Sequence, residues 1–250
     1  MKKPSESKYQ ALFGIDKVYV LTVRTFSERI SHISAELGKH NIPFEFIFDF
    51  DVSEITEQDL SIFSPSNMEM AHKSLVLKNI AVWKKMVAEN IQRALILEDD
   101  AMLDSDFRVE LKKIIESSNE LSSGHLIFLG GSDTKLPKGF LNHPSSLVPR
   151  RMTTADGFII DNTLALRRLE WLTHNKINLP ADGLMCKIDT DISALHFWPK
   201  KSIVRQASCT GKFQTTLDGS RAKHSLLYIK LRFHWHKLKN QSIKRWLQKL

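Results

Sequence analysis

Ala94-Leu95-Ile96-Leu97-Glu98-Asp99-Asp100-Ala101 is the stretch on which the fold turns. Four consecutive apolar residues read as a buried strand. The strand runs straight into three carboxylates. Carboxylates are costly to desolvate unless something compensates them, and strand tips are where α/β sheets place ligands. A divalent cation is the natural compensator, because hard cations take oxygen ligands. A metal held there would neutralise a diphosphate, which points towards a nucleotide-activated donor. The plainer alternative is a solvated turn leading to a helix N-terminus, where the dipole favours acids. Asp104, Ser105 and Asp106 open such a helix.

Strand and helix patterns alternate on either side. Residues 17–23 are rich in β-branched side chains and read as a first strand. Residues 25–39 carry Ile30, Ile33 and Leu37 at helical spacing, and residues 44–48 read as a second strand after Pro43. Residues 49–73 look irregular and polar, a mobile acceptor-side segment. A helix over 75–87 precedes the central strand, and a helix over 106–117 follows it. A strand over 125–129 ends in Gly130-Gly131, and residues 134–150, with Pro137, Gly139, Pro144 and Pro149, read as a long loop. A strand over 157–160, a helix over 163–172 and segments at 182–188 and 195–197 complete the pattern. This alternation predicts an α/β sheet with helices on both faces. Neither a Gly-x-Gly-x-x-Gly nor a P-loop pattern is present.

The composition is that of an ordinary globular protein, with 42% apolar and 26% charged residues among 250. The polar first ten residues predict no secretory signal. Cys186 and Cys209 form no CxxC pair and fit a reducing compartment, so the expected location is cytoplasmic. The net charge of +8 is local. Residues 222–250 hold Lys223, Lys230, Arg232, Lys237, Lys239, Lys244, Arg245 and Lys249 and no acid; without them the chain has 28 charges of each sign. We therefore divide the chain into a main domain, 1–221, and a basic C-terminal helical tail, 222–250. Leu227, Leu231, Trp235 and Leu238 recur at helical spacing, and Ile243, Trp246, Leu247 and Leu250 continue the pattern. Such a basic amphipathic helix either lies on an anionic membrane surface or docks on the domain through its apolar stripe. Its tryptophans and leucines suit an interface better than a phosphate backbone, so no nucleic acid is expected.

Residues 17–207 resemble glycosyltransferase family 25, the lipopolysaccharide and lipooligosaccharide biosynthesis glycosyltransferases. The resemblance rests on Val18-Tyr19-Val20-Leu21-Thr22-Val23-Arg24 with Ser27-Glu28-Arg29, on Ala81-Val82-Trp83 followed by Leu95 to Ala101, on Leu126 to Gly131, on Gly157-Phe158-Ile159-Ile160, on Pro180-Ala181-Asp182, and on Pro199 to Gln206. The chain departs from the family pattern at Lys78-Asn79, where a Ser-His pair is usual. The resemblance implies a GT-A-like mixed sheet. It also implies inverting transfer of a hexose, most often galactose, from a UDP-sugar donor. The acceptor it implies is a lipid-linked oligosaccharide at the inner face of a bacterial inner membrane.

On that resemblance Asp100 is expected to ligate Mn²⁺ or Mg²⁺, with Glu98 as a second ligand, and Glu98 or Asp99 would contact the ribose or a metal-bound water. A cation there acts as a Lewis acid on the departing diphosphate. Inversion needs a base for the attacking hydroxyl, and Asp182 is the first choice, with Asp156, Asp189 and Asp191 competing; an N-cap role is the plainer reading of Asp182. Thr22, Arg24, Arg29, Gly130, Gly131 and Gln206 are the remaining donor-site candidates, and Gln206 and Ser208 could reach donor or acceptor hydroxyls. Arg24 and Arg29 would pair with phosphate or with acids, and the two glycines allow close backbone approach. His196 either completes a metal site or is a packed histidine, whereas Trp83, Trp171 and Trp198 read as core. Two other classes remain open on the residues alone: a metal-dependent phosphoester hydrolase or nuclease, and a non-catalytic membrane-associated binding domain.

Overall fold

The computed structural model describes residues 12–152, 156–213 and 224–247. The first ten residues, Lys223, Lys249 and Leu250, on which expectations were stated above, lie outside them.

A seven-stranded mixed sheet organises the chain. Its strands are β1 (Lys17–Leu21), β2 (Glu45–Ile47), β3 (Arg93–Glu98), β5 (His125–Phe128), β6 (Leu147–Pro149), β7 (Gly157–Asp161) and β8 (Leu195–Pro199), in the order β2-β1-β3-β7-β5-β8-β6. The β1 strand runs parallel to both β2 and β3, so the tips of β1 and β3 open on the same edge. The β7 strand is antiparallel to β3 and β5. Ala94 to Leu97 are fully buried. Both faces of the sheet are covered, which is why this strand reads as continuous apolar sequence rather than an alternation.

Side chains alternate across the pleat. Tyr19, Leu21, Ile96, Phe158 and Ile160 pack with α3 (Met70–Ala88), α5 (Asn162–His174) and α6 (Ala181–Asp191). Val18, Val20, Leu95, Leu97 and Ile159 pack on the other face with α1 (Ser27–Lys39) and α4 (Phe107–Ser118). The predicted α/β sheet with helices on both faces is therefore the observed one.

Three segments differ from their sequence reading. Residues 49–73 contain a 3-10 turn (Val52–Glu54) and a short helix, α2 (Glu57–Leu60), closed by a reciprocal Thr56–Asp59 capping box. They are held from α3, because Ser74 Oγ donates to Phe50 O and Lys78 Nζ donates to Phe48 O and Asp49 O. The expected long loop 134–150 contributes the edge strand β6, where Pro149 is tolerated at the strand end. Beyond Asp100 the chain forms β4 (Ala101–Leu103), which pairs antiparallel with β9 (Val204–Gln206). That pair carries residues 204–208 back to the tips of β1 and β3.

The C-terminal segment comprises α7 (Leu226–Lys237), a π-turn (Leu238–Ser242) and α8 (Ile243–Leu247). It packs on the domain through Ile229, Phe233 and Gln241, all buried. The expected stripe of Leu227, Leu231, Trp235 and Leu238 points the other way, into solvent. A helix with apolar residues on two opposed faces docks through the one that fits. Here the docking face is pinned by polar contacts: Gln241 Nε2 donates to Gly131 O (2.8 Å) and Thr134 O (3.1 Å), and Asn240 Nδ2 donates to Asp133 O (2.8 Å).

Candidate active site at the tips of β1 and β3

A cleft of about 500 Å³ opens at the tips of β1 and β3, lined among others by Thr22, Phe26, Arg29, Asp51, Lys78 and Asp99. Its walls come from the chain segment after each parallel strand and from α3, the arrangement in which open α/β sheets hold ligands.

The three carboxylates after β3 have three different environments. Asp99 is buried and saturated: its Oδ2 accepts from Thr22 Oγ1 (2.8 Å) and its Oδ1 from Arg29 Nη1 (2.9 Å). Burial pushes its pKa up, against the opposing pull of Arg29 and Thr22. Thr22, Arg29 and Asp99 thus act together, with Asp99 positioning the guanidinium. Phe26 and Phe213 flank that guanidinium, 5.5 and 5.7 Å from it. Asp100 is 2% exposed; Oδ2 accepts from Ser208 N (3.1 Å), and Oδ1 has no hydrogen-bond partner among the described residues. An orphaned buried carboxylate oxygen demands a compensating group. Glu98 is half-buried and accepts from Gln206 Nε2 at 2.7 Å. Burial raises its pKa well above the ordinary glutamate value, and the charges of Asp100, Asp182 and Asp156 raise it further.

The charges acting on Glu98 come from three parts of the chain: Asp100 just after β3, which Glu98 itself ends, Asp156 before β7, and Asp182 in the first turn of α6. Asp182 is not the N-cap of α6, a position held by Pro180. It is accessible to solvent, yet the protein crowded around its recess pushes its pKa to about 6, with His72 of α3 pulling the other way. Gly130 accommodates Asp156: a Cβ at Gly130 would overlap both carboxylate oxygens. Gly131 has φ +81, the left-handed region that favours glycine, and its carbonyl accepts from Gln241.

Other candidates are engaged elsewhere. Arg24 lies over the Phe48 ring (4.7 Å) and pairs with Glu54 (3.3 Å), an exposed pair. Asp189 is buried between Arg168, which binds it through two nitrogens at 2.8 and 2.6 Å, and His196 Nε2 at 2.7 Å. Burial pushes Asp189 up, but Arg168 and His196 outweigh it and hold the carboxyl at about 2. It is a structural anion, and His196 is its partner. Asp191 pairs with Lys187 and with the indole of Trp171. Trp83 and Trp198 are core residues, and Trp171 is partly buried against the same core.

The sequence reading missed Lys78. This lysine is 2% exposed inside the apolar run of α3 and forms an ion pair with Asp51 at 2.7 Å; Asp51 also accepts from Arg24 N (2.9 Å). Together they form the polar floor of the cleft. Its signal in the sequence was a charged residue between Leu77 and Ile80, on a helix otherwise apolar at that position.

A cation fits Asp100 Oδ1 and the neighbouring Glu98. Among the described residues no three acidic, histidine or cysteine side chains close on one point. Water and substrate oxygens would therefore complete its shell, as is usual for Mg²⁺ at phosphate sites.

One family model matches part of the chain. Residues 15–130 match the model of the family described as glycosyltransferase family 25 (LPS biosynthesis protein), the family that the sequence resembles. A Haemophilus influenzae protein with a provisional glycosyltransferase name is 28% identical over 175 residues, 66% of this chain and 59% of that protein. The lacto-N-neotetraose biosynthesis glycosyltransferase LgtB of Neisseria meningitidis is 27% identical over 90 residues, 34% of this chain and 33% of LgtB. The human inactive glycosyltransferase 25 family member 3 is 24% identical over 137 residues, 50% of this chain and 23% of the relative. The chain thus spans less than two thirds of each relative. Among solved structures, mouse xyloside xylosyltransferase 1 aligns with a TM-score of 0.44 at 11% identity, over 77% of this chain and 97% of that one.

Proposed function

We propose that this protein, which carries the glycosyltransferase family 25 pattern over residues 15–130, is a metal-dependent inverting glycosyltransferase of lipopolysaccharide or lipooligosaccharide biosynthesis. It transfers a hexose, galactose before glucose, from a UDP-sugar to a lipid-linked oligosaccharide at the inner face of a bacterial inner membrane. The observation that carries this reading is Asp100 Oδ1, a buried carboxylate oxygen with no partner among the described residues, set at a strand tip beside Glu98 and the donor-sized cleft.

Mn²⁺ or Mg²⁺ bound by Asp100 and Glu98 would supply Lewis-acid stabilisation of the departing diphosphate. Gln206 holds Glu98 in place for that role. Arg29, fixed by Asp99, presents positive charge to the donor, and Thr22 fixes Asp99 in turn. The acceptor oxygen attacks the anomeric carbon as the bond to the UDP oxygen breaks, and Asp182 takes the proton of the attacking hydroxyl. A carboxylate with a pKa of about 6 that substrate can reach is suited to that task.

The test is calorimetric titration of UDP-galactose and UDP-glucose, with and without Mn²⁺, into the wild-type protein and Asp100→Ala. Metal-dependent binding abolished by the substitution is expected. A folded wild-type protein that binds neither sugar nucleotide with metal present would sink the reading.

A further inference from the structure

The C-terminal helix has two opposed apolar faces and no acidic residue. One face is occupied, with Ile229 and Phe233 5% and 6% exposed against the domain. On the other, Leu227, Leu231 and Trp235 are 67%, 62% and 62% exposed, and Leu238 and Trp246 continue the exposed apolar surface beyond the helix. At about 100° per residue, Leu227, Leu231, Trp235 and Leu238 fall within one quarter-turn of the helix, and Lys230 and Arg232 fall on its two flanks. Lys230, Arg232 and Lys239 are exposed. Isolated surface hydrophobics need no explanation, but an aligned stripe rimmed by charge marks an interaction surface.

We infer that this outer face of α7 is a docking surface for an anionic lipid bilayer. The inference deepens the transferase reading and rests on it for the acceptor's location. Charge complementarity selects the occupant. Lysine and arginine beside a stripe of leucine and tryptophan match an anionic headgroup layer over an acyl boundary. A second copy packed through the same face would set like charges against each other. No helix among the described residues is long and apolar enough to cross a membrane, so the helix lies on the surface. The segment's inner side holds the chain after β5 through Gln241 and Asn240. The stripe is therefore linked through the same segment to the Gly130-Gly131 turn beside Asp156.

The test is flotation of the full chain with vesicles rich in phosphatidylglycerol and with vesicles of phosphatidylcholine alone. The chain with Leu231→Gln and Trp235→Gln is run alongside. Both residues are exposed and touch no part of the cleft, and thermal unfolding checks that the variant remains folded. Wild type is expected to bind the anionic vesicles at least about tenfold better than the neutral ones, less so at high salt, with a blue shift of tryptophan emission. The double substitution should weaken anionic-vesicle binding about tenfold or more. Equal binding to both vesicle types, unchanged binding by the variant, or a dimer in light scattering that the substitutions dissociate would overturn the inference. Donor binding is measured without vesicles. Its loss alongside intact vesicle binding counts against the transferase reading alone and leaves the docking surface standing.

Discussion

Lys78 and Asp51 form an ion pair at 2.7 Å beneath the cleft, both almost entirely out of water. The lysine also donates to two backbone carbonyls, and the aspartate accepts from Arg24 N. Each charge is compensated only while the other is present. Removing one partner of a buried pair typically costs about 3–5 kcal/mol, because the survivor is left uncompensated. Lys78→Met should therefore lose about 3 kcal/mol in urea unfolding, and Asp51→Asn added to it should restore part of that loss. A strictly additive double variant would contradict this coupling.

Gly130 and Asp156 cannot both keep their places if a methyl group is added. Gly130→Ala drives a Cβ into the Asp156 carboxylate, and overpacking of this kind costs about 1–3 kcal/mol. Gly38→Ala is the control, since a Cβ there meets nothing within 4 Å and the residue lies in α1. It should be neutral or stabilising by up to about 1 kcal/mol. Chemical denaturation of both variants decides the matter; equal effects would show that Asp156 yields freely.

The protein crowded around the recess of Asp182 pushes its carboxyl up to about 6, above its ordinary value of 3.8. As the proposed base it must be ionised, so on that proposal transferase activity should fall as pH drops through about 6. Asp182→Asn should lower kcat by about 10²–10⁴ and remove that acid limb. The stability sign is opposite. A raised carboxylate favours its protonated form in the fold, so its contribution declines as pH rises from 3.8 to about 6. Asp182→Asn should then unfold at the same or higher temperature than wild type at pH 7. A marked loss of stability would point to a structural role instead.

Asp189 is the reverse case. Its folded pKa of about 2 lies below the ordinary 3.8, because Arg168 and His196 outweigh burial. The stability it contributes is complete above about 4 and is lost as pH falls towards 2. Asp189→Asn leaves the fully buried Arg168 without its anion and should cost about 3–5 kcal/mol at pH 7. The gap between variant and wild type should shrink below pH 4. A constant gap down to pH 2 would show that the ion pair is not its source.

Much of the fold was legible because it depends on local pattern. Ala94 to Leu97 declared a two-sided buried strand, and Ile33 and Leu37 declared a helix face. The β4–β9 pair was not legible: three residues at 101–103 have no periodicity of their own, and their partner lies a hundred residues further on. The edge strand β6 was hidden by the prolines around it.

The candidate site divides in the same way. The acidic run drew attention to Glu98, Asp99 and Asp100 together, and their residue types are identical in chemistry. Asp99 is taken up by Thr22 and Arg29, whereas Asp100 keeps one oxygen without a partner among the described residues. Similarly, in sequence only the resemblance favours Asp182 over Asp156, Asp189 and Asp191. Arg168 and His196 remove Asp189 from the contest, and Lys187 and Trp171 occupy Asp191.

By itself the sequence determined the alternation of strands and helices, the carboxylates at a strand tip, the resemblance to one family and the charge of the tail. Each of these is written in residues close together along the chain. Tertiary structure alone decided which carboxylate is saturated, which is raised and which keeps an oxygen without a partner among the described residues. It also decided which of two apolar faces of the last helix is spent on the domain. Those properties depend on desolvation and on partners 70 to 108 residues away in the chain, and no local pattern encodes a neighbour at that distance.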